Sequence, residues 1–220
     1  MKEFDRLFEI VRTLRSENGC PWDKEQTLHT MRDSLIEETY EVVDSIDRNH
    51  TEDLREELGD LMFLGLFLAY LGEQDTRFTV AEVLETVSEK LVRRHPHVFC
   101  GDSVDGIPDI LKNWEAIKQT ETKNRGKGVF DGIPNSLPEI QRFFKILHKI
   151  DRNGENLRDY EEKPLDGAME NAMNDLNSDT AAVLFKTLLI ECYSRKIDVA
   201  HLIRSAGEEV KSRYLKKKSE

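Results

Sequence analysis

TEDLREELGDLMFLGLFLAYLG, residues 51–72, decides the fold class. Its front is acidic and its back, LMFLGLFLAYL at 61–71, is an apolar run of eleven residues. Thr51 suits an N-cap, and Glu52 and Asp53 suit the positive end of a helix dipole. Eleven apolar residues are too few to cross a bilayer, which takes about 20. The run therefore predicts a buried helix. Working outward, residues 28–49 carry Met31, Leu35, Val42 and Ile46 at helical spacing. Residues 3–17 repeat Phe4, Leu7, Phe8, Val11 and Leu14 in the same way and close at Asn18-Gly19. Cys20-Pro21-Trp22-Asp23 reads as a turn-like connector. On the other side, a helix over 79–94 must stop near Pro96, because a residue before proline avoids helical backbone. Another covers 107–122 and contains Trp114. No stretch alternates with period two, so the expected fold is all-α, built of helical bundles.

The chain has 220 residues, Lys+Arg 32 against Asp+Glu 43, and a formal net charge of −11. An acidic surface repels polyanions, which excludes a general binder of nucleic-acid polymers. Cys20, Cys100 and Cys192 are odd in number and far apart, giving neither a disulfide framework nor a cysteine zinc site. MKEFDRLFEI lacks an apolar segment after a basic start, so no signal peptide is expected, no membrane contact is indicated, and the expected location is cytoplasmic. Residues 124–138, NRGKGVFDGIPNSLP, hold three Gly and two Pro and read as a linker between a domain at 1–123 and one at 139–220. In the latter, Ile140, Phe143, Phe144, Leu147 and Ile150 mark a helix, 152–166 reads as loop, and helices are expected at 180–194 and 199–218. A faint repeat aligns Asp60-Leu61-Met62-Phe63 with Ala182-Val183-Leu184-Phe185, and residues 89–94 with 208–213.

The chemistry-bearing residues are Glu37, Glu38 and Glu41 on the second helix and Glu57 and Asp60 on the third. At roughly 100° per residue, Glu38 and Glu41 share a strip, as do Glu57 and Asp60. The short connector makes the two helices antiparallel neighbours, so the strips face each other between apolar flanks. Carboxylates crowded on such a seam raise one another's pKa, and a hard divalent cation relieves them. All-oxygen ligands suit Mg²⁺ or Mn²⁺. Di-iron bundles need Glu-x-x-His pairs, and the sequence has none. Lys90, Arg93 and Arg94 form a basic cluster able to clamp phosphate, or to pair with neighbours such as Glu85 and Glu89. Trp22 and Trp114 suit stacking on a nucleobase or packing in a core.

CPWDKEQT (20–27), EETYEV (37–42), ELGDLMF (57–63), KLVRRHPHVF (90–99) and NWEAIKQTE (113–121), in that order, resemble the MazG family of nucleoside triphosphate pyrophosphohydrolases. GVFDGIPNSLPEIQR (128–142) extends the resemblance beyond the linker. It implies a dimer of helical bundles that splits a nucleoside triphosphate into monophosphate and pyrophosphate. It implies Mg²⁺ on Glu38, Glu41, Glu57 and Asp60, the triphosphate on Lys90 and Arg94, and Trp114 near the nucleotide. Water would attack in line at the α-phosphorus, with Glu37 as the group that orients it. The second half departs from the pattern: Asp179 and Ala182 stand where Glu57 and Asp60 align, and Glu170 is the one remnant of the first motif. It is expected to be a degenerate second MazG-like domain without catalysis. The alternative is a non-enzymatic dimeric regulator that binds nucleotides without turnover.

Overall fold

The computed structural model describes residues 2–121, 126 and 128–219. Among them, all regular structure is helical and no strand occurs. The chain divides into two compact units, Met1–Asn124 and Arg125–Glu220. Of the expected linker 124–138, residues 124, 125 and 127 lie outside the described residues, and so does the expected helix end at Thr122; the remainder of the linker is a run of turns in the second unit.

The first unit comprises α1 (Lys2–Leu14), α2 (Pro21–Glu25), α3 (Arg32–Asp47), α4 (Thr51–Gln74), α5 (Val80–Arg94), α6 (Pro96–Phe99) and α7 (Gly106–Thr120). α4 is the central element, packing against α1, α3 and α5. Its apolar half supplies Leu64, Leu66, Phe67, Ala69 and Leu71 to a core completed by Val11, Met31 and Val80. Phe67 and Val11 are fully buried. Gly72 has a steric reason: a Cβ there would clash with the Phe78 ring, so the α4–α5 connection closes tightly only on a glycine. α5 starts on a capping box, in which the Thr79 hydroxyl accepts from the Glu82 N–H and the Glu82 carboxylate accepts from the Thr79 N–H.

Two expectations need correction. Residues 20–23 are not simply a connector, because Pro21 opens the short helix α2 and its fixed φ suits a first helical position. Arg15 secures that helix, donating from Nη1 to the carbonyl oxygens of Asp23 and Gln26 and from Nε to Gln74 of α4. The cap of α4 is His50 rather than Thr51. Asn49 takes a left-handed backbone (φ 53), which leaves His50 extended, with its ring accepting from the Asp53 N–H. Asn tolerates that conformation better than most residues. The result is a three-residue turn, 48–50, that folds α4 back along α3.

The second unit comprises α8 (Glu139–Arg152), a 3₁₀ turn (Leu157–Tyr160), α9 (Leu165–Asn174), α10 (Ser178–Ser194) and α11 (Val199–Ser219). The segment expected as loop thus contains the 3₁₀ turn and the start of α9, a helix with no counterpart in the expectation. α9 packs on α10 through small residues, Ala168 and Ala172. Leu147, Ile150, Leu157 and Ile190 form one core cluster. The Tyr193 hydroxyl donates to Asp151 Oδ2 at 3.2 Å and lies 3.1 Å from His148 Nδ1. Burial first, then the Asp151 charge, push its phenol up to about 12.

Several helices leave apolar side chains in solvent. α5 exposes Val83, Leu84, Val87 and Leu91, while Ile36 and Tyr40 of α3 and Leu58 and Met62 of α4 are also exposed. Among the described residues, no helix is long and apolar enough to cross a membrane. Phe67→Ala removes the best-buried ring of the first core and should cost about 3–5 kcal/mol. The check is the urea midpoint, followed by a probe in the first unit.

Candidate metal centre

The turn at 48–50 makes α3 and α4 antiparallel, and the carboxylates lie on their paired faces. Glu38, Glu41 and Glu57 each offer an oxygen within 4.8 Å of the other two. Among the described residues, this is the one such group of three His, Cys, Asp or Glu side chains. Glu38 and Glu57 are half-buried and Glu41 is exposed. Glu38 Oε2 is buried and has no hydrogen-bond partner. Burial is the largest reason its carboxyl titrates above the usual range, followed by the charges of Glu41, Asp60 and Glu57. Glu57 is also raised, by desolvation and then by Glu41, Glu56, Asp60 and Asp53.

Asp60, expected as a fourth ligand, is exposed and outside the close group, though its charge acts on both Glu38 and Glu57. Glu37, on the same helix, is exposed and also outside the group. The donor set fits a hard cation. All three side chains are carboxylates, and an orphaned buried oxygen with a raised pKa calls for positive charge beside it.

The basic residues separate by environment. Lys90 is half-buried on α5. Arg94 is buried, and its partner is neither Glu85 nor Glu89 but Glu121, 27 residues on, just past α7. Arg93 reaches the same carboxylate at 2.8 Å. Those two guanidinium groups hold the Glu121 carboxyl down at about 2. Trp114 of α7 is half-buried, with Arg94 at 4.8 Å and Lys118 at 5.0 Å from its ring centroid. Trp22 of α2 stays 59% exposed. Sequence reasoning passed over Lys118 and Glu121. The spacing Trp114 to Lys118, one helical turn, was the available signal for the first. Nothing local points to the second.

A helix hairpin that gathers carboxylates in one all-α unit defines a helical, carboxylate-lined cluster. Residues 26–99, which contain all five acidic positions, match the model of the MazG nucleotide pyrophosphohydrolase domain, so a MazG-type domain lies within the first unit. It is 45% identical over 148 residues to a protein of Escherichia coli K12 named nucleoside triphosphate pyrophosphohydrolase, covering 66% of this chain and 56% of that one. A Thermotoga maritima protein named nucleoside triphosphate pyrophosphohydrolase/pyrophosphatase MazG is 36% identical over 158 residues, 72% of this chain and 60% of its own length. The chain thus spans little more than half the length of these relatives. The crystal structure of a mazG-related protein from T. maritima covers 52% of this chain and 98% of its own, at 29% identity and a TM-score of 0.47.

The raised carboxyls set a pH dependence. A group whose pKa is higher folded than unfolded favours the fold at low pH, and that support is lost as pH rises through the folded value. Without metal, the parent protein should therefore lose stability relative to Glu38→Gln as pH climbs from below the ordinary glutamate range toward neutral. Added Mg²⁺ should stabilise the parent near neutral pH and leave Glu38→Gln nearly unmoved. Thermal midpoints of both proteins across pH, with chelator and with metal, check this.

Proposed function

We propose that the first unit hydrolyses nucleoside triphosphates to nucleoside monophosphate and pyrophosphate. The observation that carries this reading is the convergence of Glu38, Glu41 and Glu57 around a buried, unpartnered Glu38 oxygen, within the segment that matches the pyrophosphohydrolase model. These three, with Asp60 closing from one turn beyond Glu57, would hold Mg²⁺ or Mn²⁺. The cation would neutralise phosphate oxygens and make water a better nucleophile.

The rest of the chemistry falls to side chains. Glu37, one turn before Glu41, orients the attacking water and takes its proton. The water oxygen bonds to the α-phosphorus as the bond from that phosphorus to the bridging oxygen breaks, and pyrophosphate leaves with the electron pair. Lys90, Arg93 and Arg94 hold the triphosphate, offsetting the charge on its phosphate oxygens equally in the bound substrate and as pyrophosphate departs. Trp114 covers two cations in this structure and serves the nucleotide through them, while the open ring of Trp22 is available to the base. The four carboxylates would repel a triphosphate on their own, which makes activity depend on the cation.

The same proposal extends to assembly and to the second half. The exposed apolar residues on α3, α4 and α5, the helices that carry the site, support a homodimer that covers them. The α9–α10 pair sets Glu170 on one helix and Asp179 and Ala182 on the other, as α3–α4 sets the acidic motif. Among the described residues that pair gathers no three carboxylates, which supports a degenerate second MazG-like domain without turnover.

Incubation with mixed nucleoside triphosphates should yield monophosphate and pyrophosphate only when a divalent cation is present. Diphosphate and orthophosphate would mean that a different bond is cut. Turnover by Glu41→Gln or Asp60→Asn should fall roughly a hundredfold or more with the helical circular dichroism retained, whereas Glu170→Gln should turn over at the parent rate.

A further inference from the structure

Arg94 and Glu121 each keep only 8% of their side chain exposed. Their contact is side-on: Arg94 Nε donates to Oε1 at 3.0 Å and Nη2 donates to Oε2 at 2.6 Å. Arg93, half exposed, donates from Nη2 to the same Oε1 at 2.8 Å. The single carboxylate of Glu121, just past α7, thus ties two consecutive guanidinium groups at the end of α5. Trp114 lies over the Arg94 guanidinium and limits its swing. A guanidinium has five N–H donors in a fixed plane. Glu121 takes the Nε edge of Arg94, and the Nη1 end makes no hydrogen bond among the described residues.

Stability is a poor reason to build such a pair, since desolvating two charges offsets most of their attraction. A plane held in one orientation is useful for another purpose. Phosphate oxygens are best bound by N–H groups whose direction is fixed beforehand, and Arg94 stands one helical turn from Lys90. We propose that Glu121 is a positioning residue for the substrate: by gripping Arg94 along its Nε edge and Arg93 at the same oxygen, it aims the open end of Arg94 at the phosphates of the nucleotide without touching them. This rests on the reading of the first unit as a nucleoside triphosphate hydrolase.

The sign of the effect separates this role from its rivals. Removing the Glu121 charge makes the surroundings more positive, so a carboxylate that merely competed with phosphate would give a lower KM when neutralised. A positioning carboxylate gives a higher one. Glu121→Gln should raise KM for the metal–nucleotide complex about tenfold while kcat at saturation changes less than about threefold. Glu121→Asp keeps the charge but draws it back along the side chain, and should raise KM by an intermediate factor. Steady-state kinetics on both variants, beside their thermal midpoints, decide the matter. A KM that falls, or a midpoint that falls with KM unchanged in both variants, overturns the proposal and reduces the pair to a staple between α5 and α7. If Glu121→Gln does not fold, the Glu121→Asp KM decides alone. A parent chain that hydrolyses nucleotides beside variants of unchanged KM sinks this proposal and leaves the activity standing. A parent chain that hydrolyses none sinks both.

Discussion

Carboxylate oxygens of Glu38, Glu41 and Glu57 within 4.8 Å of one another repel, and the fold has to hold them there. The restraint is the apolar packing a few residues away. Leu64, Leu66 and Phe67 lock the later turns of α4 into a core with Val11 and Met31, and Asn49 turns the chain so that α3 and α4 run side by side. Hydrophobic burial at one end of the hairpin thereby sustains electrostatic strain at the other. The raised carboxyls of Glu38 and Glu57 are the visible sign of that trade. A cluster of like charge is tolerable only on elements stiff enough not to move away from it.

What was legible in the sequence follows from the range of the forces involved. The apolar run at 61–71 announces α4, because a helix interior is written in consecutive residues. Glu38, Glu41 and Glu57 were legible too, through helical spacing and one short turn. α9 was not: its buried positions are Ala168 and Ala172, whose small side chains leave no strong apolar rhythm in LDGAMENAMN. The His50 cap escaped because an imidazole is a less usual acceptor than the hydroxyl next to it. The Arg94–Glu121 pair was out of reach for a different reason. Its partners are 27 residues apart, and only the packing of α7 on α5 brings them together. Local spacing offered Glu89 and Glu85 as partners and gave no means of ranking a remote one.

The two units use similar helix pairs toward different ends. In α3–α4 the seam carries bulky apolar residues at one end and acids at the other. In α9–α10 the buried positions of the first helix are alanines, Ala168 and Ala172.

The uncovered apolar stripe of α5, with Val83, Leu84, Val87 and Leu91 in water, bears on how the molecule behaves at different abundances. If two copies shield these stripes, the native state is partly maintained by mass action, and its persistence scales with how many copies are present. Dilution would then act on this protein as a denaturant does, by shifting an equilibrium rather than by altering any bond inside one chain. The acidic hairpin shares its helices with that surface, so the abundance of the chain would bear on how firmly the Glu38, Glu41 and Glu57 carboxylates are held together.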